Sequence, residues 1–338
     1  MIRLKKYANN PILKPQGDGF EGLCVLNPAV IYDEDEKLFK MLYRAAGNDK
    51  QHYIYLGLAE SKDGFNFERK FNKPVLAPDI NGADGGCVED PRLVKMGGYY
   101  YLTYASRTFA PGQYWREDKE YFGFRPEFGP TMLIYNNSVT HLAVSRDLIN
   151  WKKLGRITDS RFDDRDVYIF PEKINGKFVR LSRPMEWCGK GFENEAPAIW
   201  ISYSSDLMEW EKPRLLMKGN EWWENKKIGG STPPIKCEYG YLVLYHGVAE
   251  KDGAYRVGAV ILDKNDPEKI LARTKDFIME PEFDFETQGY YNGCVFPTGI
   301  CVKDGEMFVY YGAADKFVCV ATADFKKFCD SVYSEGKL

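Results

Sequence analysis

From Asn27 to Arg44 the chain reads N-P-A-V-I-Y-D-E-D-E-K-L-F-K-M-L-Y-R, an apolar run opened by a proline, a charged turn, and a second apolar run. Two β-prone runs around a short polar turn are a hairpin signature. The unit returns as D-P-R-L-V-K then Y-Y-Y-L-T-Y from Asp90, and as F-P-E-K-I then K-F-V-R-L-S-R from Phe170. It returns again as P-P-I-K-C then Y-L-V-L-Y-H-G from Pro233, and as F-P-T-G-I-C then E-M-F-V-Y-Y-G from Phe296. The marker prolines Pro28, Pro91, Pro171, Pro234 and Pro297 stand 63, 80, 63 and 63 residues apart. A fixed period of a few tens of residues marks a repeat architecture.

A second marker follows each hairpin: S-K-D-G-F-N-F at Ser61, S-R-D-L-I-N-W at Ser145, S-S-D-L-M-E-W at Ser204 and T-A-D-F-K-K-F at Thr322, with L-D-K-N-D-P at Leu262 in the fourth unit. Amphipathic helical stretches are scarce, so five hairpin-plus-strand units predict an all-β fold, a five-bladed β-propeller filling residues 1–338 as one catalytic domain. The segment N-P-I-L-K-P around Pro11 echoes K-P-V-L-A-P around Pro74, again 63 residues on. This predicts that the N-terminal strand closes the last blade, which removes open edges. The long interval carries an insertion of about residues 106–136, rich in Gly, Pro, Arg and aromatics, expected to be an ordered functional loop over one face.

Composition narrows the function. Lys plus Arg is 46 and Asp plus Glu is 49, a formal charge of −3, which argues against nucleic-acid or membrane-surface partners. Aromatics make up 15% of the chain, suiting both strands and the faces of sugar rings. The eight cysteines have no metal-ligand spacing and there are three histidines, so no metal and no cofactor are expected, and the thiols read as free and mostly buried. The first residues lack an apolar signal region and no window resembles a membrane span, so the expected location is cytoplasmic.

In a propeller the inner strands converge at one mouth of the axial channel. The residues before the marker prolines are Asn27, Asp90, Phe170, Pro233 and Phe296, so Asp90 in V-E-D-P-R, beside Glu89, is the single carboxylate of that ring. A carboxyl in a confined funnel can have a raised pKa and act as a general acid; capping its own turn before Pro91 is the alternative role. Arg44, Arg107, Arg125, Arg165, Lys227 and His246 fall near the same entrances and as a cluster suit an oxyanion such as phosphate, while each alone reads first as a solvated surface charge or an ion-pair partner. Glu193, Glu195, Glu282 and Glu286 are further carboxylates, by default surface charges, that an inverting hydrolase could use as a base.

V-E-D-P-R, F-P-E-K-I-N-G-K-F, I-W-I-S-Y-S-S-D-L-M-E-W, K-I-G-G-S-T-P-P-I, Y-L-V-L-Y-H-G-V, L-D-K-N-D-P-E-K-I-L-A-R, and V-F-P-T-G with V-Y-Y-G-A-A-D, in that order over nearly the whole chain, together resemble glycoside hydrolase family 130. The resemblance implies a five-bladed propeller acting on β-mannosides, often as an inverting phosphorylase that releases α-mannose 1-phosphate with inorganic phosphate as co-substrate. It implies that Asp90 is the general acid, protonating the glycosidic oxygen through a mannosyl hydroxyl. It places Arg107, Arg125, Arg165, Lys227 and His246 at phosphate, and Asn27, Arg44, Glu89 and Asp315 at the sugar. K-I-G-G-S-T-P-P-I departs from the family's usual K-I-G-A-G-P-P-P-I at Ser231 and Thr232. A β-1,2-mannoside hydrolase on the same fold and a non-catalytic sugar-binding propeller remain as alternatives. Linkage, acceptor and any homo-oligomer are not legible in the sequence.

Overall fold

The computed structural model describes residues 2–113 and 126–337. Its strands form a five-bladed β-propeller. After β1 (Lys5–Lys6), blade 1 runs β2 (Cys24–Asp33), β3 (Leu38–Ala46), β4 (Ile54–Ser61), β5 (Glu68–Arg69), and blade 2 runs β6 (Glu89–Met96), β7 (Tyr99–Ser106), β8 (Val139–Ser145), β9 (Lys152–Arg156). Blade 3 is β10 (Tyr168–Ile169), β11 (Phe178–Ser182), β12 (Ile199–Ser204), β13 (Arg214–Met217). Blade 4 is β14 (Lys227–Gly230) and β15 (Ile235–Lys236), both paired with β16 (Tyr241–Val248), then β17 (Tyr255–Leu262) and β18 (Ile270–Arg273). Blade 5 is β19 (Val295–Lys303), β20 (Glu306–Ala313), β21 (Phe317–Asp324), closed by β1.

Ring closure follows the echo in the sequence. Leu76 of K-P-V-L-A-P bridges Leu56 on β4, and Leu13 of N-P-I-L-K-P bridges Val318 on β21, the same position one blade apart. The Ser-x-Asp marker is a capped turn. In blade 2 the Ser145 hydroxyl accepts from the Leu148 N–H at 3.0 Å and Asp147 accepts from the Asn150 N–H at 2.7 Å, and Ser61 with Asp63 and Ser204 with Asp206 repeat the pattern. In blade 5 the same marker starts a helix instead, with Asp324 accepting from the Lys327 N–H at 2.8 Å to cap a helix over Phe325–Gly336. The fourth strand of that blade comes from the N-terminus, so the chain is free to turn helical there.

The apolar residues pack between blades, one main cluster per seam with a smaller one around Cys24 and Cys87, because each sheet must bury both faces against its neighbours. The marker prolines differ from expectation in one respect. Pro28, Pro91 and Pro297 do not open the inner strands but sit within them, at breaks in register between Leu26 and Ala29, Glu89 and Arg92, and Pro297 and Gly299. A bulge tolerates the missing proline N–H and turns the preceding side chain out of the sheet. Asn27 and Asp90, at equivalent bulges, both adopt left-handed backbone conformations, φ 43° and 51°. Such conformations suit Asn and Asp better than other side chains.

Candidate active site

The bulges aim Asn27 and Asp90 at the axis, where they meet. Asn27 Nδ2 donates to Asp90 Oδ1 at 2.7 Å, and Arg44, near the end of β3, donates to the same oxygen at 2.9 Å and pairs with Glu89 at 3.0 Å. Asp90 therefore does not cap its own turn; its carboxylate is spent on blade 1. Burial alone pushes this carboxyl up, but Arg44, Arg92 and the Asn27 amide outweigh it and hold it below the ordinary Asp range. The raised value expected from the funnel is corrected accordingly: the confined site is also densely cationic. Arg92 is fully buried and braces the ring, donating to the carbonyls of Asp90 at 2.7 Å and of Ser231, in blade 4, at 2.8 Å.

Asp90, Asn27 and Arg44 line an axial cavity of about 460 Å³, together with Asp315 from the β20–β21 turn. Arg165, Lys227 and His246, also expected from sequence, line the same cavity. Arg107 and Glu89 line a second space of about 400 Å³ that shares Arg44, Arg165, Tyr255, Tyr291 and Asp315 with the first, so the two adjoin. Arg125 lies outside the described residues. At the base of the insertion the Arg107 guanidinium donates to the Asn136 carbonyl at 2.5 Å, and the Asn136 amide clasps Phe109 N–H and C=O at 3.0 and 2.9 Å.

The cations divide by partner. Arg165 forks onto Asp163 at 2.6 and 2.9 Å, and Arg183 forks onto Asp166. Lys227 and Arg107 make no ion pair among the described residues; Lys227 rests over the Tyr255 ring at 5.1 Å. Burial, with Arg183 beside it, pushes the Lys227 ammonium down to about 8, and burial and the adjacent Arg165 lower Arg107. Each signals a cation deprived of water and short of negative charge. His246 is a correction to the cationic set: burial takes its imidazole down to about 3 despite Asp166 at 3.5 Å, so it is a neutral ring, stacked on Tyr255. It can offer an N–H but no charge.

Glu193, Glu195 and Glu282 are exposed and line neither cavity. Glu286 is buried, but it binds Lys6 and the Tyr311 hydroxyl at 2.8 Å each, outside the site. Asp163 and Asp166 do line the axial cavity; burial pushes both up, but their arginine partners outweigh it and hold both carboxyls low, a poor setting for a general base. Sequence reasoning missed Arg183 and Asp166. The signal for Arg183 was present, since K-F-V-R-L-S-R ends on it as K-L-F-K-M-L-Y-R ends on Arg44. Ser231 and Thr232 are buried and line neither cavity, so the departure from the usual loop motif leaves Lys227 facing the site.

Two glycines keep the site open. A Cβ at Gly229 would overlap Asp166 Oδ2 and the His246 ring, and one at Gly312 would overlap the Asn27 amide oxygen. Gly312→Ala is expected to push Asn27 away from Asp90, cutting kcat by about tenfold or more through one lost charged hydrogen bond. Overpacking should also lower Tm, by about 1–3 kcal/mol of stability. Adding Asn27→Ala should recover part of the lost Tm, since the Asn27 backbone N still lies 2.9 Å from the new Cβ, but not kcat, and recovery of kcat would show that Asn27 does not position Asp90.

A propeller whose axial cavity holds Asp90, from blade 2, together with a bank of cations from blades 3 and 4, Asp163 and Asp166 being spent on Arg165 and Arg183, has the make-up of a carbohydrate-active enzyme. The profile of glycoside hydrolase family 130, described as beta-1,4-mannooligosaccharide phosphorylase, matches residues 3–334. The chain belongs to that family. It is 38% identical over 334 residues to a 1,2-beta-oligomannan phosphorylase of Thermoanaerobacter sp. (strain X514), covering 96% of this chain and 99% of that protein. It is 37% identical over 340 residues to a beta-1,2-mannobiose phosphorylase of the same organism, covering 97% and 99%. Among solved structures, the beta-1,2-mannobiose phosphorylase from Listeria innocua in complex with beta-1,2-mannobiose superposes with a TM-score of 0.78 at 25% identity, covering 98% of this chain and 99% of that one.

Proposed function

We propose that the protein is an inverting β-mannoside phosphorylase, which splits a mannosyl unit from its acceptor with inorganic phosphate and releases α-mannose 1-phosphate. The observation that carries this reading is the pair of desolvated cations, Lys227 in the cavity that holds Asp90 and Arg107 in the one adjoining it, left without carboxylate partners among the described residues. An anion is what they lack, and phosphate satisfies both an ammonium and a guanidinium. Arg165 and Arg183 extend the bank, and the His246 ring adds a neutral donor.

The sugar ring sits between Asp90 and this bank, held by Asn27, Arg44 and Asp315, with Glu89 steadying Arg44. Asp90 gives its proton to a mannosyl hydroxyl, which passes one to the departing glycosidic oxygen. A phosphate oxygen forms the new bond to the anomeric carbon from the opposite face, inverting β to α. The free protein holds Asp90 ionised, so the proton has to be loaded in the complex. A phosphate dianion nearby offsets Arg44 and Arg92 and raises the carboxyl toward the working range. Phosphate thereby serves as nucleophile and as the charge that arms the acid, and no other co-substrate is required.

The two Thermoanaerobacter relatives and the Listeria structure are all named for β-1,2-mannosides, which supports that linkage here. Capture of the sugar as a charged ester benefits a cell that retains it, which supports a cytoplasmic setting; among the described residues no helix is long and apolar enough to cross a membrane. Incubation with β-1,2-mannobiose, with and without phosphate, followed by NMR of the anomeric signals, tests the proposal. Turnover should require phosphate and yield α-mannose 1-phosphate first. Turnover indifferent to phosphate assigns a hydrolase, and binding without turnover assigns a sugar-binding module.

A further inference from the structure

We propose that the chain carries a second saccharide-binding site, in a cavity of about 440 Å³ at the seam between blades 2 and 3, which is of small-molecule size. The seams between blades are filled by apolar side chains, and at this seam the main cluster is six residues, Val94, Leu142, Ile157, Val167, Ile169 and Leu207, against twelve or more at each of the other four seams. Beside it the seam opens. Its wall is shared with the axial cavity, because the segment before β10 and the end of β11 alternate in direction. Asp163, Arg165 and Arg183 face the axis, while Asp164, Ser182 and Pro184 face the seam.

The polar groups facing this space are buried and incompletely satisfied. Ser182 is 1% exposed and its hydroxyl has no hydrogen-bond partner among the described residues. Asp164 is 5% exposed; one carboxylate oxygen accepts the Arg183 N–H at 2.9 Å, and the side chain has no ion pair among the described residues. Arg180 is 6% exposed and donates to the Ser202 hydroxyl at 2.8 Å and to the Ile157 carbonyl, again with no carboxylate in ion-pair reach among the described residues. Buried groups left in this condition are costly unless a ligand or ordered water completes them. Burial pushes the Asp164 carboxyl up to about 6 and Arg180 down to about 10, consistent with a space that hydrates both poorly.

The ligand class follows from the pairing. An anion there would face Asp164, and a cation would face Arg180. An uncharged hydroxylated ring suits both, donating to Asp164 and accepting from Arg180 and Ser182. Trp187 and Met208 supply apolar surface for its C–H face, while the Trp210 ring carries the Arg180 guanidinium at 4.5 Å and holds it at the wall. The inference does not depend on the mannoside reading of the axial cavity, since none of these groups lines that cavity.

The test uses full-length Asp90→Asn protein without phosphate, so that turnover during the measurement is negligible, titrated calorimetrically with β-1,2-mannobiose, mannose and glucose. Binding of at least one of these sugars is expected at a site weakened about tenfold by Ser182→Ala, the loss of one hydrogen bond. Tm should stay level or rise, because the hydroxyl removed has no protein partner. Ser182→Ala in otherwise natural protein should leave mannobiose turnover unchanged. If the axial cavity takes no mannoside, its own binding vanishes while the Ser182-sensitive site persists. Sugar binding wholly insensitive to Ser182→Ala, or a phosphate titration that changes with Ser182→Ala, overturns the proposal.

Discussion

Asp90→Asn is expected to lower kcat for phosphorolysis by about 10³-fold, within the span of general-acid effects, while the protein folds and still binds phosphate. The amide keeps an oxygen to accept from Asn27 Nδ2 and Arg44, now at 2.7 and 2.9 Å, so the bulge geometry survives. Arg44 keeps Glu89 as a counter-ion at 3.0 Å, so no buried guanidinium is stranded. What disappears is the transferable proton. Steady-state kinetics beside a thermal melt and a phosphate titration check this, and turnover within tenfold of the natural enzyme would place the acid elsewhere.

Lys227→Met should raise KM for phosphate by about 10²-fold, the worth of a charged hydrogen bond at a buried site, and alter the pH profile. Because the ammonium titrates near 8 in the free protein, it is charged below that pH and loses its proton as pH rises through it. Phosphate KM in the natural enzyme should therefore climb above about pH 8, as the cation that meets the anion is lost. In Lys227→Met the KM starts high and that climb is absent. A variant with the same alkaline rise shows that another group titrates, and an unchanged KM removes Lys227 from the phosphate site.

The fold was legible because repetition amplifies weak signals. A single proline-led hairpin is ambiguous, but five at one period, with capped turns at fixed offsets, leave a propeller as the consistent reading, and even the closing strand announced itself through the Pro11 and Pro74 echo. The site was half legible. Position in the repeat located Asn27, Arg44, Asp90, Arg165 and Lys227 around one cavity. It could not report charge state, which depends on burial and neighbours: His246 was counted as a cation and is neutral, and Asp90 was expected to be raised and is lowered. Arg183 escaped because it closes a strand that reads as ordinary β-structure, and Asp166 because in D-R-D-V-Y-I-F-P the arginine beside it is the residue suited to an anion. The seam cavity was invisible, since which side of a strand Ser182 and Asp164 face is settled by the pairing of blade 3 and not by their spacing.

The central claim is that the Asp90 carboxylate and a bank of cations, of which Lys227 and Arg107 have no carboxylate partner among the described residues, hold a sugar ring and an inorganic phosphate between them. A crystal structure with mannose and phosphate both bound tests it most directly. The expected result has phosphate on Lys227 and at least one of Arg107, Arg165 and Arg183, with the mannose ring between it and Asp90, and a ring hydroxyl within hydrogen-bond distance of the Asp90 carboxyl. Phosphate bound away from these cations, or a mannose ring out of reach of Asp90, contradicts it.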